Sequence, residues 1–182
     1  MRFPTTLPTL LRQGLFAAFL IAAVALQPGQ ARADDPAFLT IAGGWFDFNR
    51  QKDQGGEYRL EYRSDYKLWV VKPFAAIAGS ETGNFFVGAG ILADIYFGRR
   101  WVVTPSFAPH YYAGGNDDLD LGYELEFRSQ LEVAYRFDNR ARLGLAISHY
   151  SNASLGDSNP GTETLSLNLS WPMEALSFNS GN

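Results

Sequence analysis

Strict alternation of apolar and polar residues over 124–137 is the feature that most constrains what this chain can fold into. Leu125, Phe127, Leu131, Val133, Tyr135 and Phe137 take the odd positions, interrupted only by Ser129. Glu124, Glu126, Arg128, Gln130, Glu132 and Arg136 take the even positions, with Ala134. A strand sends successive side chains to opposite faces, whereas a helix would mix the two sets. The segment is therefore predicted to be a strand with one apolar and one polar face.

The same period recurs along the chain in eight segments, most of them longer than the ~5–6 residues of a soluble-protein strand. They are residues 37–48, 57–64, 68–78, 85–97, 101–112, 124–137, 141–152 and 162–171. Bilayer-spanning strands need about 9–11 residues of alternating character. The sequence therefore predicts an all-β fold, an eight-stranded antiparallel transmembrane β-barrel.

The connections between these segments alternate in length. Those at 65–67, 98–100 and 138–140 are short, whereas those at 49–56, 79–84, 113–123 and 153–161 are longer and polar. Short periplasmic turns and longer external loops are typical of bacterial outer-membrane barrels. Pro73, Pro105 and Pro109 lie within predicted strands and are interpreted as bulges or strand ends, because proline cannot donate a ladder hydrogen bond.

The N-terminal segment predicts export. Arg2 and Arg12 flank the start of an apolar run at 15–26, and Ala31-Arg32-Ala33 offers a small-residue cleavage site. The run is too short for a membrane helix, which needs about 20 residues. We expect a signal peptide at 1–33, a barrel at 34–171 and a C-terminal extension at 172–182. The expected location is the outer membrane of a Gram-negative cell.

Composition excludes some classes of protein. The predicted signal peptide holds three of the 15 Lys and Arg, so 12 basic and 19 acidic residues remain. This balance gives no basic face for nucleic acid, and the absence of cysteine excludes a disulfide-stapled domain. A soluble, lipid-binding barrel with the two faces reversed remains open, because alternation alone does not say which face points inward.

Three polar residues interrupt the apolar face of the last two predicted strands. His149 and Ser151 follow Leu143, Leu145 and Ile147 at odd positions, and Glu163 shares its parity with Leu165, Leu167 and Leu169. In a membrane barrel this face meets lipid, where ionisable groups are costly and are candidates for function. Residues two apart on a strand are about 6.6 Å apart, so the side chains of His149 and Ser151 can meet.

These residue types suit acyl transfer. A serine hydroxyl needs a base to become a nucleophile, and a histidine needs an acceptor to fix its tautomer. His149, Ser151 and Glu163 can fill these roles, with Asn152, Asn159 or loop amides as oxyanion donors. Alternatively, the three residues are ordinary polar groups of the lipid headgroup zone. His110, on the opposite parity, is interpreted as lumenal or in a loop.

The run His149-Tyr150-Ser151-Asn152-Ala153, followed by Asn159-Pro160-Gly161-Thr162-Glu163, resembles the PagL family of lipid A 3-O-deacylases. The family carries a His-x-Ser-Asn stretch and an Asn-Pro-Gly-x-Glu stretch on the last two strands of an eight-stranded barrel. The resemblance implies that Ser151 is the nucleophile, His149 the general base and Glu163 the residue that orients it. Asn152 and Asn159 match supporting positions, one of them at the oxyanion.

The resemblance also implies a reaction, hydrolysis of the ester-linked acyl chain at position 3 of lipid A, with no metal or other cofactor. The expected partners are lipid A and outer-membrane lipids; whether the protein forms a homodimer is left open. One departure is that the chain continues past Trp171 instead of ending on an aromatic strand residue. A non-enzymatic barrel, an anchor or adhesin acting through the loop at 113–123, remains the alternative function.

Overall fold

Residues 36–114 and 118–175 are described by the computed structural model of the chain. The expected signal peptide at 1–33 and most of the extension at 172–182 lie outside them. The strands are β1 (Phe38–Phe46), β2 (Gly55–Arg63), β3 (Lys72–Ser80), β4 (Phe85–Leu92), β5 (Ile95–Phe97), β6 (Trp101–Ala113), β7 (Leu125–Arg136), β8 (Arg142–Ser151) and β9 (Thr162–Pro172). A short 3₁₀ helix, Met173–Ala175, follows β9.

The strands close into a single antiparallel barrel. Apart from β4 and β5, strands that follow each other along the chain pair with each other, and β1 closes the sheet by pairing with β9 from Phe38 opposite Pro172 to Phe46 opposite Thr164. Strands β4 and β5 both pair with β6, so together they form one interrupted wall strand. The predicted eight-stranded barrel is confirmed.

The two prolines of β6 explain where that wall strand is interrupted. Pro105 and Pro109 lie within the continuous strand β6, so their interpretation as bulges or strand ends is wrong. The β4–β6 pairing skips the positions opposite Pro109, and the break between β4 and β5 falls opposite Pro105. Pro105 still accepts a hydrogen bond from the Ala93 N–H at 3.1 Å. The hydrogen-bond ladder that joins β6 to β4 and β5 is therefore interrupted where the two prolines lack an N–H group to donate.

Alternation along the strands sends apolar side chains outward and most polar ones inward, while two apolar clusters, which include Phe74, Phe86 and Leu92, are also buried inside. Ile41, Leu60, Ile77, Leu131, Leu145 and Leu167 are among the exposed apolar residues on the outer wall. Thr40, Glu61, Arg63, Arg128, Glu132, Arg142 and Asn168 are among the buried polar residues inside. A soluble lipid-binding barrel needs an apolar interior, so this arrangement excludes that alternative and fits a bilayer around the wall.

Ion pairs fill the interior and tie distant strands together. Arg63 Nη2 lies 2.6 Å from Glu132 Oε2, Arg128 Nη2 lies 2.8 Å from Glu61 Oε2, and both pairs are buried. At the start of β8, Arg142 Nη1 lies 2.9 Å from Oδ1 of Asp94, a residue between β4 and β5. Each arginine thus has a carboxylate from another part of the wall, as buried charges require. None of the described helical segments is long and apolar enough to cross a membrane.

The loops after β1, β3, β6 and β8 share one end of the barrel, called here the loop end, but the predicted alternation of lengths fails after β2, where the connection at 64–71 is longer than the loop at 81–84. At the other end, the prediction that a strand begins at residue 68 is wrong, because β3 begins at Lys72. Leu68 and Val71 instead bond to each other across a turn, in which Trp69 takes a left-handed conformation with φ of 65°. The candidate residues lie at the loop end, because His149 and Ser151 are at the end of β8 and Glu163 is at the start of β9.

Candidate active site

His149 and Glu163 face each other across the β8–β9 pair, close to the loop end of the barrel. The Nδ1 atom of His149 lies 3.1 Å from Oε1 of Glu163. The His149 side chain is 44% exposed and that of Glu163 is 16% exposed. Both therefore belong to the outer wall, and neighbouring groups partly cover the carboxylate.

Ser151 is the last residue of β8 and lies opposite Phe127 of β7. It shares the outward parity of His149 and is partly exposed. Among residues 36–114 and 118–175, no hydrogen bond joins the Ser151 hydroxyl to the His149 ring. Catalytic hydrogen bonds are often long without substrate and tighten when it binds.

The contact with Glu163 decides which nitrogen of His149 is available for chemistry. A neutral imidazole carries one N–H donor and one acceptor nitrogen. Because an ionised carboxylate accepts hydrogen bonds, Nδ1 donates to Glu163 and Nε2 is left as the acceptor. This is the tautomer that a general base for a serine hydroxyl requires.

Arg50, in the loop between β1 and β2, is a site residue that the sequence prediction missed. Its Nε lies 3.3 Å from Oε2 of Glu163 and its Nη2 lies 3.4 Å from Oε1. Its Nη1 donates to the backbone carbonyl of Pro160. Closure of the barrel brings the loop after the first strand beside the start of the last, but nothing in the local sequence marks Arg50 among the residues of that loop.

Gly161 allows these groups to come close together. Its φ is +63°, in the left-handed region that side chains disfavour. A Cβ atom there would lie 2.9 Å from the Tyr150 carbonyl oxygen, 3.2 Å from Cε1 of His149 and 3.5 Å from Nη2 of Arg50. The glycine of the Asn-Pro-Gly stretch therefore has both a conformational and a steric reason to be glycine.

Asn152 and Asn159 hold the loop between β8 and β9. The Asn152 side chain is buried and donates from Nδ2 to the carbonyls of Leu121, at 2.8 Å, and Ser158, at 2.7 Å. Asn159 Oδ1 accepts the backbone N–H of Asn152 at 3.1 Å. Both contacts support the loop next to Ser151, and the Asn152 amide group has no N–H left over for an oxyanion.

Comparison with known proteins decides the family. Residues 37–172 match the family model described as lipid A 3-O-deacylase (PagL). The chain belongs to the PagL family. The crystal structure of the outer membrane enzyme PagL has 21% sequence identity with this chain. The alignment covers 74% of this chain and 99% of that structure's chain, with a TM-score of 0.60. A designed transmembrane β-barrel has 9% sequence identity with this chain. That alignment covers 80% of this chain and 97% of the designed one, with a TM-score of 0.51. Curated protein sequences gave no significant match.

Membership in the PagL family makes this chain a relative of lipid A deacylases with a barrel that fits the outer membrane. Of the residues expected at the site, His149 and Glu163 are in direct contact, and Ser151 lies on the same outer face. His110 lies buried inside the barrel, where its ring and that of Tyr150 form a T-shaped contact. Within the described chain, no group of three or more His, Asp or Glu residues could hold a metal ion.

Proposed function

We propose that this chain is a lipid A 3-O-deacylase of the outer membrane that works as a serine esterase. Ser151 is the nucleophile, His149 is the general base and Glu163 orients the base. The substrate is the ester-linked acyl chain at position 3 of lipid A. The observation that carries the proposal is the 3.1 Å contact between His149 Nδ1 and Glu163 Oε1 on the outer wall of a PagL-family barrel.

The outward position of the site suits a substrate that lies in the membrane. Directly below the polar pair, Ile147 and Leu165 face each other on the exposed apolar wall. The acyl chains of lipid A lie in the bilayer outside the barrel, so the enzyme need not admit them to a lumen. Lipid A then approaches along the wall, with its ester bond at the depth of Ser151.

The reaction follows from the roles of the three residues. The Ser151 oxygen attacks the ester carbonyl while Nε2 of His149 takes the hydroxyl proton. The tetrahedral intermediate collapses, and His149 returns the proton to the departing sugar oxygen at position 3. Water then attacks the acyl-enzyme in the same way, which releases a fatty acid and restores Ser151. Glu163 stabilises the imidazolium that forms in each half of the reaction.

The oxyanion needs hydrogen-bond donors from the loop between β8 and β9. Asn159 suits this role better than Asn152, because the two donors of the Asn152 amide are bound to Leu121 and Ser158. Asn159 uses only its carbonyl oxygen in its bond to Asn152, which leaves an NH₂ group on an exposed side chain. Asn159 lies in the loop that begins directly after Ser151.

Mass spectrometry of lipid A from cells with and without the expressed protein tests the proposal. Lipid A should lose its 3-linked acyl chain with the wild-type protein and keep it with Ser151→Ala, at equal amounts of folded barrel. Rate losses of several orders of magnitude accompany loss of a serine nucleophile. Ser154→Ala is the matched control, because this exposed serine lies in the adjacent loop.

The outcome separates the proposal from a non-enzymatic barrel. Unchanged lipid A with folded wild-type protein would favour an anchor or adhesin. Normal deacylation by folded Ser151→Ala would keep the enzyme and refute the serine mechanism. Heat-modifiable gel mobility reports folding on the same samples.

A further inference from the structure

We infer that Arg50 is a positioning residue of the deacylase, which acts by holding the carboxylate of Glu163 in the orientation that His149 needs. The inference rests on the proposed function, in which Glu163 orients the base. It adds a group from the loop between β1 and β2 to a site whose other members lie on β8, on β9 and in the loop between them.

The guanidinium of Arg50 is directed at Glu163 and Pro160, although its side chain is 37% exposed. Its Nε and Nη2 atoms lie 3.3 and 3.4 Å from the two carboxylate oxygens of Glu163, and Nη1 donates to the carbonyl of Pro160. All three nitrogens of the planar guanidinium group therefore bind either Glu163 or Pro160. Such a two-point contact fixes the plane of a carboxylate as well as its position.

Glu163 needs this support because of where it lies. Its side chain belongs to the outer wall, and its Oε1 atom serves both His149 and Arg50. A carboxylate at the edge of the bilayer is costly unless an opposite charge accompanies it. Without Arg50, the carboxylate would be free to rotate out towards water and away from the imidazole.

The loop between β1 and β2 is built to deliver Arg50. The buried carboxylate of Asp47 accepts the backbone N–H groups of Lys52, at 2.7 Å, and Asp53, at 2.9 Å. It also accepts the hydroxyl of Thr162, the neighbour of Glu163, at 3.0 Å. The Phe48 N–H donates to the backbone carbonyl of Glu163 at 3.3 Å. The loop is therefore fastened to the first residues of β9 just before Arg50, through Asp47 and Phe48, and the residues just after Arg50 are tied back to Asp47.

The positive charge of Arg50 also affects the reaction. In the resting enzyme, the charges of the Arg50 guanidinium and the Glu163 carboxylate cancel. When His149 takes the proton of Ser151, Arg50, Glu163 and His149 together carry one positive charge beside the developing oxyanion. This sign favours the transition state over the resting state.

A double-variant cycle on the purified barrel in detergent tests the inference, with lipid A as the substrate and fatty acid release as the assay. Arg50→Ala should lower kcat roughly 10- to 100-fold, as loss of catalytic orientation does, and leave KM unchanged. In the Glu163→Gln background, itself slowed, the same change should have almost no further effect, because Arg50 acts through Glu163. Arg50→Lys should recover only part of the rate, since an ammonium lacks the fork.

Lys52→Ala is the matched control, because it removes the same charge from the same loop. Lys52 is exposed and contacts Asp47 through its backbone N–H, so the rate should not change. A raised KM with normal kcat for Arg50→Ala would show a substrate-binding role and overturn the inference. Rate losses that multiply in the double variant would overturn it too. If Arg50→Ala does not fold, the cycle is run with Arg50→Lys.

Failure of the proposed function gives a different result. Wild-type protein without deacylase activity would refute that function and this inference with it. An active wild type that is slowed by Glu163→Gln but not by Arg50→Ala refutes the role of Arg50 alone.

Discussion

Replacing Gly161 by alanine tests whether the close packing around His149 sets the rate of reaction. The new Cβ would lie 2.9 Å from the carbonyl oxygen of Tyr150, below ordinary contact, which begins near 3.4 Å. The Tyr150 peptide links His149 to Ser151, so the backbone shift that relieves this clash moves both groups. The Cβ also lies 3.2 Å from the His149 ring, which must move by a few tenths of an ångström.

The expected cost divides into two parts. Alanine in the left-handed region costs about 1–2 kcal/mol of folding stability. Displacement of the base relative to the nucleophile should lower kcat by about 10- to 100-fold. Urea titration of the barrel in detergent measures the first part, and fatty acid release from lipid A measures the second.

Gly98→Ala separates the two parts. Gly98 has nearly the same conformation, with φ of +67°, but a Cβ there meets nothing within 4 Å. Because Gly98 lies in the turn before β6, at the opposite end of the barrel, this variant should lose similar stability and keep its full rate. A folded Gly161→Ala barrel with the kcat of the wild type would refute the steric reasoning.

Two further predictions concern the interior and the processed N-terminus. Glu132→Ala removes the carboxylate that accepts hydrogen bonds from Arg63, at 2.6 Å, and Asn168, at 2.8 Å, and leaves the buried Arg63 and Arg128 to share the carboxylate of Glu61. The free energy of unfolding should fall by about 3–5 kcal/mol in urea titration, and a loss below 1 kcal/mol would contradict the ion-pair assignment. Mass spectrometry of the mature protein should show an N-terminus at Asp34, and a retained segment at 1–33 would exclude the proposed cleavage.

The period-2 pattern predicted the barrel because strand parity depends only on local sequence. The same alternation indicates where Asn152 lies. Its even position places its side chain inside the barrel, with those of Tyr150 and Ser148. The pattern failed at residues 68–71, because apolar residues at the rim of a membrane barrel need not lie in a strand. Trp69 is apolar and 94% exposed in a turn.

The site was only partly predictable for a different reason. The contact between His149 and Glu163 lies within one hairpin, so spacing on two adjacent strands was sufficient to anticipate it. Arg50 is separated from Glu163 by most of the chain, and a single cation in a polar loop looks like an ordinary solvated residue. Its role requires the pairing of β1 with β9, a consequence of barrel closure that no local pattern encodes.

The arginine and glutamate pairs inside the wall have a consequence for the cell's permeability barrier. Arg63, Arg128 and Arg142 are each at most 1% exposed, and their side chains occupy the interior of the barrel. In a wider barrel this interior would be filled with water. An eight-stranded wall is just wide enough for its own side chains to fill it. Many copies can therefore be inserted without opening a route for ions, nutrients or antibiotics. Liposomes loaded with this barrel should retain small solutes that porin-containing liposomes release.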